Sequence, residues 1–200
     1  KQIKMKSRSG LYVILGLVVV LFFWGCSAYN GLIGVDQEVK AKWGDVETNY
    51  QRRTDLYNSV IKTISASANF EKSVLTDVVA ARAKATSINV DINDPKSLEA
   101  YQQAQAGLQS SFSKLLAVVE NYTDLKTTKA FQDFQAQIEG TENRINVARK
   151  DYNDAVKGYT LKVKTFPNNI FAGLFGFHEK AYYTADPGTS KNPDINFDIK

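Results

Sequence analysis

Two hundred residues contain one cysteine, Cys26, and one histidine, His178. A lone cysteine excludes an intramolecular disulfide and a thiolate metal cluster. A lone histidine excludes every multi-histidine metal motif. There is no GxGxxG, no P-loop and no HExxH, so nucleotide cradles and zinc-protease helices have no footing. A basic run is also missing. The formal net charge of +4 sits in Lys1, Lys4, Lys6 and Arg8, because the 21 basic residues after them match the 21 acidic ones. A nucleic-acid partner needs a concentrated basic face, and none is predicted here.

Charge is absent altogether from Ser9 to Val35. Within that stretch LYVILGLVVVLFFW (11–24) is apolar, and with its small flanking residues it reaches nearly the ~20 residues that span a bilayer. Tyr12, Trp24 and Tyr29 stand where interfacial aromatics belong, and the four basic residues before them favour a cytoplasmic N-terminus. The leading reading is a retained signal anchor, residues 10–28, behind a basic segment, 1–9. A cleaved secretory signal lacks a small-x-small site after the apolar run. A lipoprotein signal is the third reading, because Gly25-Cys26 ends like a lipobox and would make Cys26 an acylated first residue. Bulky Phe23 and Trp24 stand against it.

Beyond the anchor the apolar steps are helical. The strongest stripe is Phe131, Phe134, Ile138, Ile145, Ala148, Tyr152, Val156, Tyr159, Val163 and Phe166, in phase for about five heptads. It predicts one helix over 128–166, roughly 57 Å long, with Thr128 as N-cap and Pro167 beyond its end. Gly140 should not interrupt it, since glycine costs only about 1 kcal/mol in a helix. Gly140 is one residue off the stripe, where it could admit a neighbouring helix. An earlier stripe runs through Leu32, Val39, Trp43, Val46, Tyr50, Tyr57, Val60 and Ile64. It weakens at SASAN, so a break is expected near Ser65–Asn69 before Val74, Val78, Ala81, Ala85 and Ile88. Residues 89–94 read as a loop, and Asp94-Pro95 as the cap and first residue of a helix carrying Leu98, Tyr101, Leu108, Phe112, Leu115, Val119 and Tyr122. A short link, 123–127, leads to the long helix.

Long amphipathic helices joined by short links predict an all-α fold: an antiparallel up-and-down bundle of four helices over 29–166. The tail, 167–200, holds Phe171, Phe175, Phe177, Tyr182, Tyr183 and Phe197. That is too aromatic for a disordered segment. A short helix (168–174) and an extended piece docked on the bundle are expected, with an exposed aromatic partner site as the alternative.

No constellation for catalysis emerges. His178 has no nucleophile at a recognisable spacing, and no Glu-x-x-His pairs exist for a carboxylate metal site. The reading is no enzyme, no cofactor and no metal. Polar residues near the stripes say more. Arg53 lies in phase with Val46 and Val60, Arg82 adjoins Val78 and Ala81, and Thr141 interrupts the long stripe beside Glu142 and Arg144. Such arginines either snorkel to the bundle edge or join a polar layer that fixes register. For Arg53 the expected acidic partner is Glu142 or Glu120.

These same residues carry a resemblance. Tyr29-Asn30-Gly31-Leu32-Ile33, Trp43 and Tyr50-Gln51-Arg52-Arg53-Thr54-Asp55-Leu56 resemble the opening of the LemA family. Ala68-Asn69-Phe70-Glu71 and Ala81-Arg82-Ala83 follow. Glu139-Gly140-Thr141-Glu142-Asn143-Arg144-Ile145 is similar to its most recognisable internal motif. Ala148-Arg149, Tyr152-Asn153, Phe166-Pro167, Gly176-Phe177 and Pro193-x-x-x-Phe197 come in family order. Tyr57-Asn58-Ser59-Val60 departs where the family usually has Ile-Pro-Asn-Leu, and Thr160 replaces an Asn. The resemblance implies a membrane-anchored, helical-bundle bacterial protein without an active site to carry over. It also implies an outward N-terminus, against which the charge-based orientation is kept.

Two functions are then expected to compete. One is a non-enzymatic envelope protein, tethered in the lipid bilayer of a bacterial cell membrane. Its bundle would face the extracytoplasmic side and assemble with other membrane or envelope proteins, with homo-oligomers left open. The other is a membrane-tethered ligand-sensing module. A large pocket with convergent polar groups would favour the second, and a long exposed apolar stripe the first.

Overall fold

The computed structural model describes residues 3–65 and 72–184, apart from the side chains of residues 3–9, 72 and 126. All regular structure in that range is helical, and helix takes up 85% of it. The order is α1 (Ile3–Ser65), α2 (Lys72–Thr86), α3 (Pro95–Val119), α4 (Thr123–Lys126), α5 (Lys129–Lys164) and α6 (Asn168–Phe175). The chain divides into two compact units: Lys1–Lys42 with Asp154–Glu179, and Trp43–Asn153 with Lys180–Lys200.

Helix α1 does not stop where the apolar run ends. Its 63 residues run unbroken through Gly25, Gly31 and Gly34, about 95 Å at the helical rise. The apolar and amphipathic parts thus belong to one helix, and no proline interrupts residues 25–34. α1 ends at Ser65 and α2 starts at Lys72; most of the break expected near Ser65–Asn69 falls outside the described residues. α3 begins as its sequence dictates: Asp94 accepts from the Lys96 amide at 3.0 Å, with Pro95 in the first turn. The link at 123–127 carries a four-residue helix, α4. α5 starts after Thr128, whose Oγ1 accepts from the Phe131 amide at 3.4 Å, and it passes through Gly140 without interruption. No described atom lies within 4 Å of where a Cβ on Gly140 would stand, so this glycine does not admit a neighbouring helix.

In the second unit the stripes meet as a core. Tyr57, Val60 and Ile64 of α1 join Val78 and Ala85 of α2, Leu108, Phe112 and Leu115 of α3, and Phe131 and Phe134 of α5. The Tyr57 and Phe112 rings stack at 3.6 Å between centroids. Trp43 packs edge-on against Tyr101 at 5.7 Å and Tyr152 at 5.3 Å. In the first unit Leu32, Val39, Val156, Tyr159 and Val163 are buried. Phe166, expected to close the α5 stripe, is instead 74% exposed. The helix ends at Lys164 and the chain turns at Pro167, so the 3.6-residue phase no longer governs it.

Candidate functional site

The most concentrated chemistry is a polar layer inside the second unit. Arg53 is wholly buried and is the largest fully buried side chain. A guanidinium cannot shed its charge, so it needs acceptors. Arg53 Nη2 donates to Gln105 Oε1 at 2.6 Å and to the Gln105 carbonyl at 3.2 Å. Its Nη1 donates to Glu142 Oε1 at 3.3 Å. Its Nε is buried without a hydrogen-bond acceptor, but the guanidinium carbon lies 4.6 Å from the Tyr50 ring centroid and 5.8 Å from that of Tyr57. The ring faces attract the cation where oxygen acceptors are lacking. Thr141, the interruption in the α5 stripe, is buried and donates to Gln137 O one turn back at 2.8 Å.

A second set of polar contacts adjoins it through Tyr50. The Tyr50 hydroxyl accepts from Arg149 through both Nε, at 2.9 Å, and Nη2. It also meets the Tyr183 hydroxyl at 2.5 Å. Asn153 grips the backbone of the same tail residue: Nδ2 donates to Tyr183 O and Oδ1 accepts from Tyr183 N, both at 2.8 Å. Tyr152 donates to Ala181 O at 2.8 Å, the Ala181 amide donates to Ile92 O at 3.0 Å, and Thr184 donates to Gln102 at 2.6 Å. Residues 180–184 are therefore an extended segment tied down by side chains. The expected docking of Phe197 falls outside the described residues.

Of the residues singled out from sequence, Arg53 and Glu142 come together. Glu120 does not join them: it is exposed and caps the C-terminal end of α3. Arg144 is exposed, beside Asp45, Asn49 and Asp151 at a shallow surface cleft. It follows Thr141 by three residues but points off the buried face. Arg82 is half-buried on α2, and its Nε has no hydrogen-bond acceptor among the described residues. Cys26 is exposed on α1. Sequence assigned no part in these polar contacts to Gln105, Tyr50, Arg149, Asn153 or Tyr183, although Tyr50 stands on the buried stripe and Tyr183 in the tail expected to dock. Gln105 was legible: it sits four residues after Tyr101 and three before Leu108, on the buried face of α3.

The phenols around the layer are held in their neutral form by burial. Burial pushes the Tyr57 hydroxyl up to about 12, with Arg53 pulling it partly back and Glu142 raising it. Burial raises Tyr101 and Tyr152 as well. These phenols stay protonated at any physiological pH.

The residues that carry this geometry lie within the stretch that places the chain. The LemA family model matches residues 42–197. The chain belongs to the LemA family. It is 25% identical over 197 residues to magnetosome protein MamQ 2 of Paramagnetospirillum magneticum, covering 88% of this chain and 72% of that protein. To protein LemA of Metamycoplasma hominis it is 23% identical over 175 residues, covering 88% of this chain and 77% of that one. To magnetosome protein MamQ of Magnetospirillum gryphiswaldense it is 20% identical over 178 residues, 80% of this chain and 65% of the relative. The motif Glu139–Ile145 supplies Thr141, Glu142 and Ile145 to this LemA-family interior, and Ala148-Arg149 with Tyr152-Asn153 supplies the tail's anchors.

Proposed function

We propose that this LemA-family chain is a single-pass bacterial membrane protein without enzymatic activity. Residues 10–28 are its anchor. Residues 29–166 form an antiparallel up-and-down bundle on the extracytoplasmic side, with residues 167–200 as a docked tail. Its role is to present that bundle to other membrane or envelope proteins. The observation that carries this reading is α1. It holds an 18-residue window of mean hydropathy 2.4, none of it buried, and Leu11 to Trp24 expose large apolar side chains along their whole length. A surface of that kind is stable only in lipid or under another protein. The buried Arg53 layer supports a structural role for the polar residues, since fixing register is their best-attested use.

The test is photo-crosslinking of the full chain in native membranes from exposed positions such as Val79 and Val147. Discrete protein adducts, the same from replicate to replicate, support the reading. Adducts to lipid alone would contradict it.

A cleft of about 610 Å³ lined by Pro95, Glu99, Gln102, Ala106, Lys180 and Tyr182 favours the second reading, a tethered ligand-sensing module. It is mostly apolar with a few convergent polar groups, which suits a small molecule. Stabilisation by a metabolite, abolished by filling the cleft with Ala106→Trp, would move the assignment to that reading. Acylation at Cys26 is a separate alternative for the anchor, read out by the intact mass of the purified chain.

A further inference from the structure

Outside the anchor, five of the nine described large apolar side chains that are exposed fall between Leu161 and Phe175. Phe166 is 74% exposed, Ile170 60% and Leu174 75%. Ile170 and Leu174 are four apart and share one face of α6, and Phe166 stands in the turn just before that helix. α6 is eight residues, NNIFAGLF, without a charge, and none occurs from Phe166 through Phe177. Its other face rests on the anchor helix. Phe171 packs edge-on against Trp24 at 5.7 Å, and Phe175 against Tyr29 at 5.0 Å. Gly25 lets Phe171 in: a Cβ there would stand 3.3 Å from the ring. Gly176, at φ 75°, ends the helix in the left-handed conformation that glycine adopts without strain.

α6 is thus held at the level of Trp24 and Tyr29, where the apolar run of α1 gives way to polar sequence. A groove of about 620 Å³ between these helices is lined by Leu21, Phe22, Cys26, Tyr29 and Phe175. Apolar surface therefore continues from the span, through the groove, to α6. Lys162 and Lys164, in the last turn of α5, stand just before Phe166. Lys164 Nζ pairs with Glu179 Oε1 at 2.8 Å and Lys162 Nζ lies beside Gly31; it is the apolar face of an interfacial helix that enters the acyl boundary.

We infer that α6 is an interfacial helix, and that Phe166, Ile170 and Leu174 insert into the lipid surface beside the span. The occupant of this face is the bilayer itself, through its glycerol and upper acyl region. The inference rests on the membrane-anchored reading above and adds a second lipid contact contributed by the opposite end of the sequence.

The test uses the full chain in vesicles of phosphatidylcholine and phosphatidylglycerol carrying brominated acyl chains. One protein keeps Trp24 as its sole tryptophan, with Trp43→Phe. The other has Trp24→Phe, Trp43→Phe and Leu174→Trp. The exposed position of Leu174 leaves the packed face of α6 untouched. Emission from the Leu174→Trp protein should be blue-shifted and quenched by bromine close to the headgroups, to about the extent seen for Trp24. If Trp24 is quenched while the Leu174→Trp emission yields only to aqueous acrylamide, α6 is solvated and the inference fails alone. If that emission resists both quenchers, a protein covers the face and the inference again fails. If Trp24 itself escapes bromine, the anchored reading falls and this inference with it.

Discussion

Arg53 and Glu142, 89 residues apart in sequence, meet through Nη1 and Oε1 at 3.3 Å. The arginine side chain is fully buried, and the glutamate keeps a quarter of its surface in solvent. The two ends are therefore unequal. Removing Glu142 leaves a buried cation that still has Gln105 and two aromatic faces. Removing Arg53 empties the largest fully buried side chain and orphans Gln105 Oε1. Arg53→Ala should cost about 3–5 kcal/mol and Glu142→Gln about 1 kcal/mol. Urea unfolding of the full chain in detergent micelles checks both. A cost below about 1 kcal/mol for Arg53→Ala, the range of a surface pair, would mean that the layer does not fix register.

Asn153 holds Tyr183 by both its backbone groups. Asn153→Ala should release the segment 180–184, with a local cost of about 1–3 kcal/mol for the two lost bonds. Lys180 is buried in the native chain, so trypsin should cut there rapidly in the variant and slowly in the parent. Equal cutting rates would show that other contacts suffice to hold the tail.

Gly140→Ala should stabilise the protein by about 1 kcal/mol. The helix passes straight through this position and a Cβ meets nothing within 4 Å. A loss of stability would indicate a neighbour that the glycine accommodates.

Tyrosines set the alkaline limit. Tyr57 rises from 10.0 to about 12 in the folded chain through burial. Its unfolded form ionises near 10.0, so the stabilisation is complete below that pH and disappears as pH climbs to about 12. Tyr101 and Tyr152 shift in the same direction. Stability should therefore fall steeply above pH 10.0, with tyrosinate absorbance rising together with loss of helical circular dichroism. Ionisation of all ten tyrosines before any loss of helical circular dichroism would contradict burial of these phenols.

Helix type and the main stripes were legible because amphipathic phase is a local property. All eight apolar positions read from Leu32 to Ile64 are buried. What escaped depends on long-range pairing. Arg53 was readable as inward-facing, yet its choice of Glu142 over Glu120 depends on which helix lies opposite, and no local pattern encodes that. Arg149 adjoins the stripe residue Ala148, but its role rests on Tyr50, 99 residues away. Phe166 failed for the opposite reason: its phase was right, but the helix ended before it. Arg144 and Arg82 flank their stripes by one residue, where a long side chain can leave the core face.

The central claim is that α1 anchors the chain in lipid by its apolar residues rather than by a modified Cys26. Alkaline carbonate extraction of membranes containing the full chain tests it, with Cys26→Ser and a Leu17→Arg, Val18→Arg double variant alongside. A charged side chain at the bilayer centre costs about 2.5–3.5 kcal/mol on insertion scales, so two should prevent stable insertion. The parent chain and Cys26→Ser are predicted to stay with the membrane pellet, and the double-arginine variant to be released. Release of Cys26→Ser, or retention of the double-arginine variant, would contradict anchoring by this helix.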